Sequence, residues 1–277
     1  MRHFQTQIEL TSYLNNFRGR KSIGFIPTMG ALHEGHLNLI KAAKRQCKII
    51  ICSIFINPMQ FNNNKDFINY PKTLDEDLKK LQILNCDIVY TPAINDLYAE
   101  GEDAKEFNFG SLMDVMEGEF RPGHFNGMAT IVEKLFNIIL PTKAFFGQKD
   151  LQQLQIVKTL VKQMHARIEI ISISTAREKN GLAKSSRNQR LSKEAKNKAS
   201  LIYGCLKYCA RNKNRGVSEL QFYIKNIFKQ NALQLEYAEF VSLDNMLPIK
   251  KWGAKNRNAI CIAAYIEDVR LIDNIIL

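Results

Sequence analysis

Hydrophobic and polar positions alternate between two textures along the chain. Residues 21–29 form an apolar run closed by a Pro-Thr-Met-Gly turn. From His36 to Cys47 the apolar residues Leu37, Ile40, Ala43 and Cys47 recur at helical spacing. Lys48–Ile56 is apolar and β-branched throughout, which suits a strand buried on both faces of a parallel sheet. Thr73–Leu84 reads as a helix. A threonine cap opens it, and Asp75, Glu76 and Asp77 suit its N-terminal dipole. Asp87–Thr91 reads as a further strand, Met128–Leu140 as a helix stopped by Pro141, and Ala144–Phe146 as a short strand. Asp150–Met164 and Arg167–Ser174 close the series as helix and strand. Strands alternating with helices predict a parallel α/β sheet with right-handed crossovers.

Past Ser174 the texture changes. Thr175–Arg190 is polar, basic and glycine-containing, which marks a loop or domain boundary. Lys193–Asn212 and Ser218–Gln230 read as helices, the second opened by a serine suited to capping. Leu235–Leu243 and Ala259–Ile266 read as strands. The expected organisation is an α/β domain over residues 1–175 and a smaller α+β domain over 176–277.

Composition qualifies this picture in one respect. The 277 residues are 45 % hydrophobic and 24 % charged, values that exclude wholesale disorder. The net charge is +12, which raises nucleic acid or an anionic membrane as a partner. Residues 1–175 carry 20 basic and 18 acidic side chains, a net +2, whereas 176–277 carry 19 and 9, a net +10. With 26 Lys and 24 Asn in the chain, much of that excess reads as solvated surface. No basic stripe interleaved with aromatics is present, so no nucleic-acid partner is expected. Nor does any stretch of about 20 apolar residues occur, so no membrane span is expected. The N-terminus lacks the apolar centre of a signal peptide, and none of the six cysteines forms a C-x-x-C pair. A cytoplasmic protein with reduced thiols is the consistent expectation.

Four turns hold the candidate chemistry. The first, Pro27 to His36 (PTMGALHEGH), follows a strand and opens a helix at the carboxyl edge of the sheet, where open α/β sheets bind ligands. Gly30 and Gly35 have the glycine spacing of a phosphate-binding P-loop, but His36-Leu37 replaces its Lys-Ser/Thr pair. His33 and His36 are three apart, not four as in the H-E-x-x-H zinc motif. The favoured reading is two imidazoles directed at a polyphosphate, with positive charge stabilising its oxyanions. The second turn, Ser53 to Phe61, offers the amides of Asn57 and Gln60 to a carboxylate or hydroxyl. The third, Phe145 to Gln153, has Lys149 for phosphate and Asp150 for a ribose hydroxyl. The fourth, Lys184-Ser185-Ser186-Arg187-Asn188, joins hydroxyls to a guanidinium as a phosphate grip.

Together these segments resemble the pantoate–β-alanine ligases, a family of nucleotidyltransferases with a HIGH-type signature. His33-Glu34-Gly35-His36 stands at the HIGH position. The similarity also takes in Tyr70-Pro71-Lys72-Thr73, Arg121-Pro122-Gly123-His124-Phe125 and the closing Val269-Arg270-Leu271-Ile272-Asp273-Asn274. It implies a Rossmann-like N-terminal domain and a C-terminal α+β lid. Pantoate and ATP would give a pantoyl adenylate and pyrophosphate, and the β-alanine amine would then displace AMP. His36, His33, Lys149 and Arg187 would be catalytic. ATP would meet Met29, Gly30, His33, His36, Gly147, Gln148, Lys149, Asp150, Ala176, Lys184, Ser185, Ser186 and Arg187. Gln60, Gln153 and Asn57 would hold pantoate and β-alanine. Mg²⁺ is implied with ATP but its protein ligands stay unassigned: Glu76 and Asp77 match a proposed metal region and equally suit a helix N-terminus. A homodimer is implied as well.

Three positions depart from the family's usual pattern. Lys184 and Ala176 stand where larger apolar residues are common, and Lys72 replaces an arginine. The alternatives are another nucleotidyltransferase of the HIGH superfamily, argued against by the NPMQF and RPGHF segments, and a basic nucleic-acid-binding protein.

Overall fold

The computed structural model describes residues 1–252 and 257–277, which divide into two compact units. The first comprises Met1–Phe109, Arg121–Gln148 and Gln153–Ser174; the second comprises Gly110–Phe120, Lys149–Gln152 and Thr175–Leu277. Two short segments from the first 175 residues therefore belong to the second unit.

The first unit holds a six-stranded, all-parallel sheet. Its strands are β1 (Arg2–Phe4), β2 (Ile23–Thr28), β3 (Ile49–Ile54), β4 (Ile88–Tyr90), β5 (Lys143–Gly147) and β6 (Glu169–Ile173), in the order β1-β4-β3-β2-β5-β6. Helices α1 (Gln7–Leu14), α2 (Glu34–Gln46), α3 (Asn64–Ile68), α4 (Leu74–Ile83) and α5 (Ile94–Leu97) come from the first 109 residues. A four-residue helix, α6 (Glu117–Phe120), belongs to the second unit; α7 (His124–Ile139) and most of α8 (Leu151–Gln163) return to the first.

Both faces of the sheet are covered, as β2 shows. Phe25 points to one face and meets Phe136 of α7 edge-on, with ring centroids 6.2 Å apart. Its neighbour Ile26 points to the other and joins the cluster of Leu39, Ile40 and Ala43 from α2 and Leu81 from α4. Side chains that alternate between two buried faces explain why β2 and β3 read as unbroken apolar runs. Pattern reading passes over β1 and α1, because a three-residue strand holds less than two periods of alternation. Helix α7 begins at His124, four residues before its apolar stretch, because Gly123 (φ +79°) supplies the left-handed turn that starts it.

In the second unit a three-stranded antiparallel sheet runs β7 (Gln234–Ser242), β8 (Asn258–Ile266) and β9 (Val269–Ile276). Helices α9 (Lys193–Arg211) and α10 (Val217–Gln230) pack on it through Ile202, Leu206, Leu220, Ile224 and Phe228. Gly216 caps α10, ahead of the expected Ser218.

Candidate active site

Strand order places the site. The chain winds outward from β2 through β3 to β4 in one direction, then from β5 to β6 in the other. The carboxyl ends of β2 and β5 therefore flank a topological switch point, the crevice where doubly wound sheets take ligands. Thr28-Met29-Gly30 leaves β2 there, and Gly147-Gln148 leaves β5.

The turn after β2 is held from below. Thr28 Oγ1 donates to Ser53 O (2.7 Å) and accepts from Gly30 N (3.2 Å). Gly30 (φ +81°) and Ala31 (φ +48°) are both left-handed. A Cβ on Gly30 would lie 3.1 Å from Ile54 Cγ2 and 3.2 Å from Asp77 Oδ2, so a larger residue would be strained by the backbone and would press on both neighbours. The next two amides point at one carboxylate. Asp77, fully buried in the first turn of α4, accepts from Ala31 N and Leu32 N, each at 2.8 Å. Thr73 Oγ1 donates to it at 3.2 Å, and the Lys80 ammonium lies 3.8 Å away. Lys80 also donates to Leu32 O at 2.9 Å. Thr73 stands at the N-cap of α4 as expected, but its hydroxyl donates a hydrogen bond to Asp77 rather than capping a backbone amide, and Asp77 acts as a brace for the loop. Glu76 in the same turn is largely exposed.

His33 and His36 form a reciprocal capping box at the start of α2. His33 Nδ1 accepts from Gly35 N (3.1 Å), and His36 Nδ1 accepts from His33 N (3.3 Å). An Nδ1 that accepts places the ring proton on Nε2, so each ring offers an Nε2–H donor. The ring centroids lie 4.1 Å apart.

The second turn assembles a polar group around Gln60. Its Nε2 contacts Met29 Sδ at 2.9 Å. Asn57, 1 % exposed, donates to Gly127 O (3.0 Å) and Gln60 Oε1 (3.3 Å) and accepts from Tyr98 OH (2.9 Å). Its amide is therefore occupied within the protein, behind Gln60. His124 Nε2 faces Arg121 Nη1 at 3.0 Å; arginine only donates, so the His124 proton sits on Nδ1 and is donated to Gln60 O at 2.8 Å. Pattern reading gives Tyr98, Arg121 and His124 no individual role, because each acts through partners distant in sequence. Only RPGHF, as a motif, points to two of them. Gln153 lies half-buried in the first turn of α8, and a Cβ on Gly147 would meet no atom within 4 Å.

Within the second unit, Lys149 Nζ lies 3.1 Å from Asp150 Oδ1. Ala176 and Lys184 face each other across a hairpin, with Lys184 N donating to Ala176 O (2.9 Å) and Arg177 bridging to Ala183. The Lys184 ammonium lies 3.4 Å from Glu178, so this departure from the family pattern has an acidic partner. Ser185 Oγ then caps the turn Ser186–Arg190 by accepting from Arg187 N at 3.3 Å. Asn188 closes it, donating to Ala183 O at 3.0 Å. Ser186 is buried.

Comparison with known proteins gives this geometry a family. Pantothenate synthetase from Cytophaga hutchinsonii is 43 % identical over 264 residues, covering 94 % of this chain and 93 % of that protein. The enzyme from Thermodesulfovibrio yellowstonii is 45 % identical, covering 94 % and 93 %. Among solved structures, pantothenate synthetase from Thermus thermophilus superposes with a TM-score of 0.92 at 35 % identity, covering 100 % of this chain and 99 % of that one. Pantoate-β-alanine ligase from Francisella tularensis, complexed with β-γ ATP and β-alanine, gives 0.85 at 36 % identity, covering 100 % and 97 %. The model of the Pantoate-beta-alanine ligase family matches residues 2–276. With the switch-point turns in place and that match running from end to end, this chain belongs to the pantoate–β-alanine ligase family of enzymes.

Proposed function

We infer that this chain condenses pantoate with β-alanine in two steps. The pantoate carboxylate attacks the α-phosphorus of ATP, forming pantoyl adenylate and releasing pyrophosphate. The β-alanine amine then attacks the acyl carbon, and the bond to AMP breaks. Adenylation converts a poor leaving group into AMP, while alignment of the bound reactants supplies much of the rate. The observation that carries this reading is the end-to-end family match, together with the convergence of PTMGALHEGH and NPMQF on neighbouring strand ends.

In this reading His33 and His36 donate through Nε2–H to phosphate oxygens on which charge develops. Met29, Gly30, Gly147 and Gln148 line the nucleotide, and Asp150 takes a ribose hydroxyl. Lys149, Ser185, Ser186 and Arg187 hold phosphates, and Ala176 and Lys184 meet adenine through their backbone. Gln60 and Gln153 orient pantoate, while Asn57 supports them by fixing the Gln60 amide. Mg²⁺ accompanying ATP would be held mainly by the triphosphate oxygens and would supply positive charge there. Among the described residues no group of three His, Cys, Asp or Glu side chains could cage it, and the Asp77 carboxylate is engaged with backbone amides. The protein works as a cytoplasmic homodimer. No helix among the described residues is long and apolar enough to cross a membrane. The NPMQF and RPGHF segments favour the ligase over another nucleotidyltransferase of the HIGH superfamily.

Pantoate-dependent ATP–pyrophosphate exchange tests this directly. Exchange that requires pantoate and Mg²⁺, and pantothenate formation once β-alanine is added, is expected. Exchange supported instead by a phosphate-ester substrate would transfer the assignment to a nucleotidyltransferase.

A further inference from the structure

Strand β9 breaks its own pattern. Val269 and Leu271 point into the core of the second unit, and the next position on that face is Asp273, 4 % exposed. On the opposite face Arg270 and Ile272 are followed by Asn274, 5 % exposed. Buried polar residues at apolar register positions are costly unless partnered, and partnered ones contribute little net stability compared with well-packed apolar residues. Fold stability alone therefore does not explain this pair.

Their partners do. Asp273 receives both ends of the Arg177 guanidinium, at 2.5 and 3.0 Å. Arg177 also donates to Asn274 O (3.3 Å) and Gly181 O (3.1 Å), and it lies over the Tyr203 ring, 3.7 Å from its centroid. Gly181 (φ +95°) would drive a Cβ to 2.5 Å from the same ring. The hairpin 176–184, which leads into Ser185-Ser186-Arg187, is thus pinned at its base and its tip. Asn274 Nδ2 donates to Lys149 O at 2.8 Å, which fixes the backbone just before α8. Arg270, on the same face, pairs with Glu117 at 2.7 Å. Gln152 accepts from Glu117 N (3.0 Å) and donates to Leu112 O (2.8 Å). Both segments that join the second unit from earlier in the chain are tied to this one strand.

We propose that β9 is the positioning element for the triphosphate-binding groups, with Asn274 setting Lys149 and Asp273 setting the hairpin before Ser185–Arg187 through Arg177. This rests on the reading above that Lys149 and Ser185–Arg187 meet ATP. Asn274 and Asp273 are positioning residues that act through the Lys149 backbone carbonyl and the Arg177 side chain.

The test compares Asn274→Ala, Lys149→Ala and their double variant in the full-length protein. Asn274→Ala is expected to raise the ATP KM about tenfold, the size of one lost hydrogen bond at the strong end. The pantoate KM is expected to stay within about twofold, as a site-specific effect requires. In the Lys149→Ala background Asn274→Ala should add nothing, since coupled residues are not additive. An unchanged ATP KM, a parallel rise of both KM values, or full additivity would each overturn the proposal. Asn274→Leu, which keeps the volume without the donor, repeats the measurement should the alanine variant unfold. Calorimetric titration with β,γ-imido-ATP separates the two readings. If the wild-type protein lacks pantoate-dependent exchange yet binds this analogue more tightly than Asn274→Ala does, the ligase reading fails and the positioning role stands. Equal affinity of the two proteins overturns the positioning role.

Discussion

At the scale of single residues, the instructive case is Asp77. In sequence it is one of three acids at a helix start, open to a dipole role or a metal role. In the fold it is the acceptor for two consecutive backbone amides from a loop more than 40 residues away. Hydrogen bonds to a charged group contribute about 1.5–3 kcal/mol each. Asp77→Ala is expected to destabilise the protein by about 2–4 kcal/mol and lower turnover, because Ala31 is left-handed without its anchor. Asp77→Asn, which keeps one acceptor oxygen, should lose roughly half as much stability. Thermal unfolding and pantothenate formation measure both. A metal-ligand role would instead make the loss depend on Mg²⁺ concentration. His36→Ala removes both an Nε2–H donor and half of the capping box, so kcat should fall about 10²-fold or more, read by initial rates at saturating substrates.

At the scale of elements, α7 and the turn 58–60 show how close packing sets a functional amide. A Cβ on Gly127 would stand 2.0 Å from Met59 O, so the helix backbone rests on the turn that carries Gln60. From the same helix His124 holds Gln60 O, and Gly127 O receives Asn57. Gly127→Ala improves intrinsic helix propensity by about 1 kcal/mol, yet it must push the turn aside. The expected result is a net loss of about 1–3 kcal/mol and a raised pantoate KM with a smaller change in ATP KM. Steady-state kinetics and thermal unfolding check it; a more stable protein with unchanged pantoate KM would show that the turn yields freely.

At the scale of the whole molecule, charge and cysteine usage take on definite meanings. Of the 19 basic side chains in residues 176–277, Arg177, Lys184 and Arg190 pair with Asp273, Glu178 and Asp268, acids already counted in the net +10, and Arg270 pairs with Glu117 from outside the segment. All six cysteines are free and buried. Burial pushes the Cys86 and Cys209 thiols up to about 12 and Cys205 to about 11. They stay protonated at pH 8, so the native protein should react slowly with a disulfide reagent and expose six thiols on denaturation. The linkage has a definite sign. Above about pH 9 the unfolded chain loses thiol protons that the folded chain keeps, so stability falls as pH rises from about 9 towards 12. Denaturant titrations at pH 7, 9 and 10 measure that slope.

Much of this molecule was legible in the chain itself. The period of apolar residues named the strands β2 to β6 and the helices α2, α4, α7 and α8, because burial on two faces leaves an unbroken apolar run; the four- and five-residue helices α3, α5 and α6 are too short to show a period. Motifs named the loops at their ends, because glycine, histidine, lysine and serine in those turns serve chemistry that other residues cannot. What only the tertiary structure decided is what each polar group is bonded to. The ring tautomers of His33 and His36, the bracing role of Asp77, the occupation of Asn57 and the partners of Asp273 and Asn274 depend on atoms brought within about 3 Å by the fold. Hydrogen bonds are short-ranged and directional, so residues tens of positions apart acquire them only when the chain has closed. The strand β9 was visible only as a signature at the end of the chain, since its purpose lies in Lys149 and Arg177, about 125 and 96 positions away.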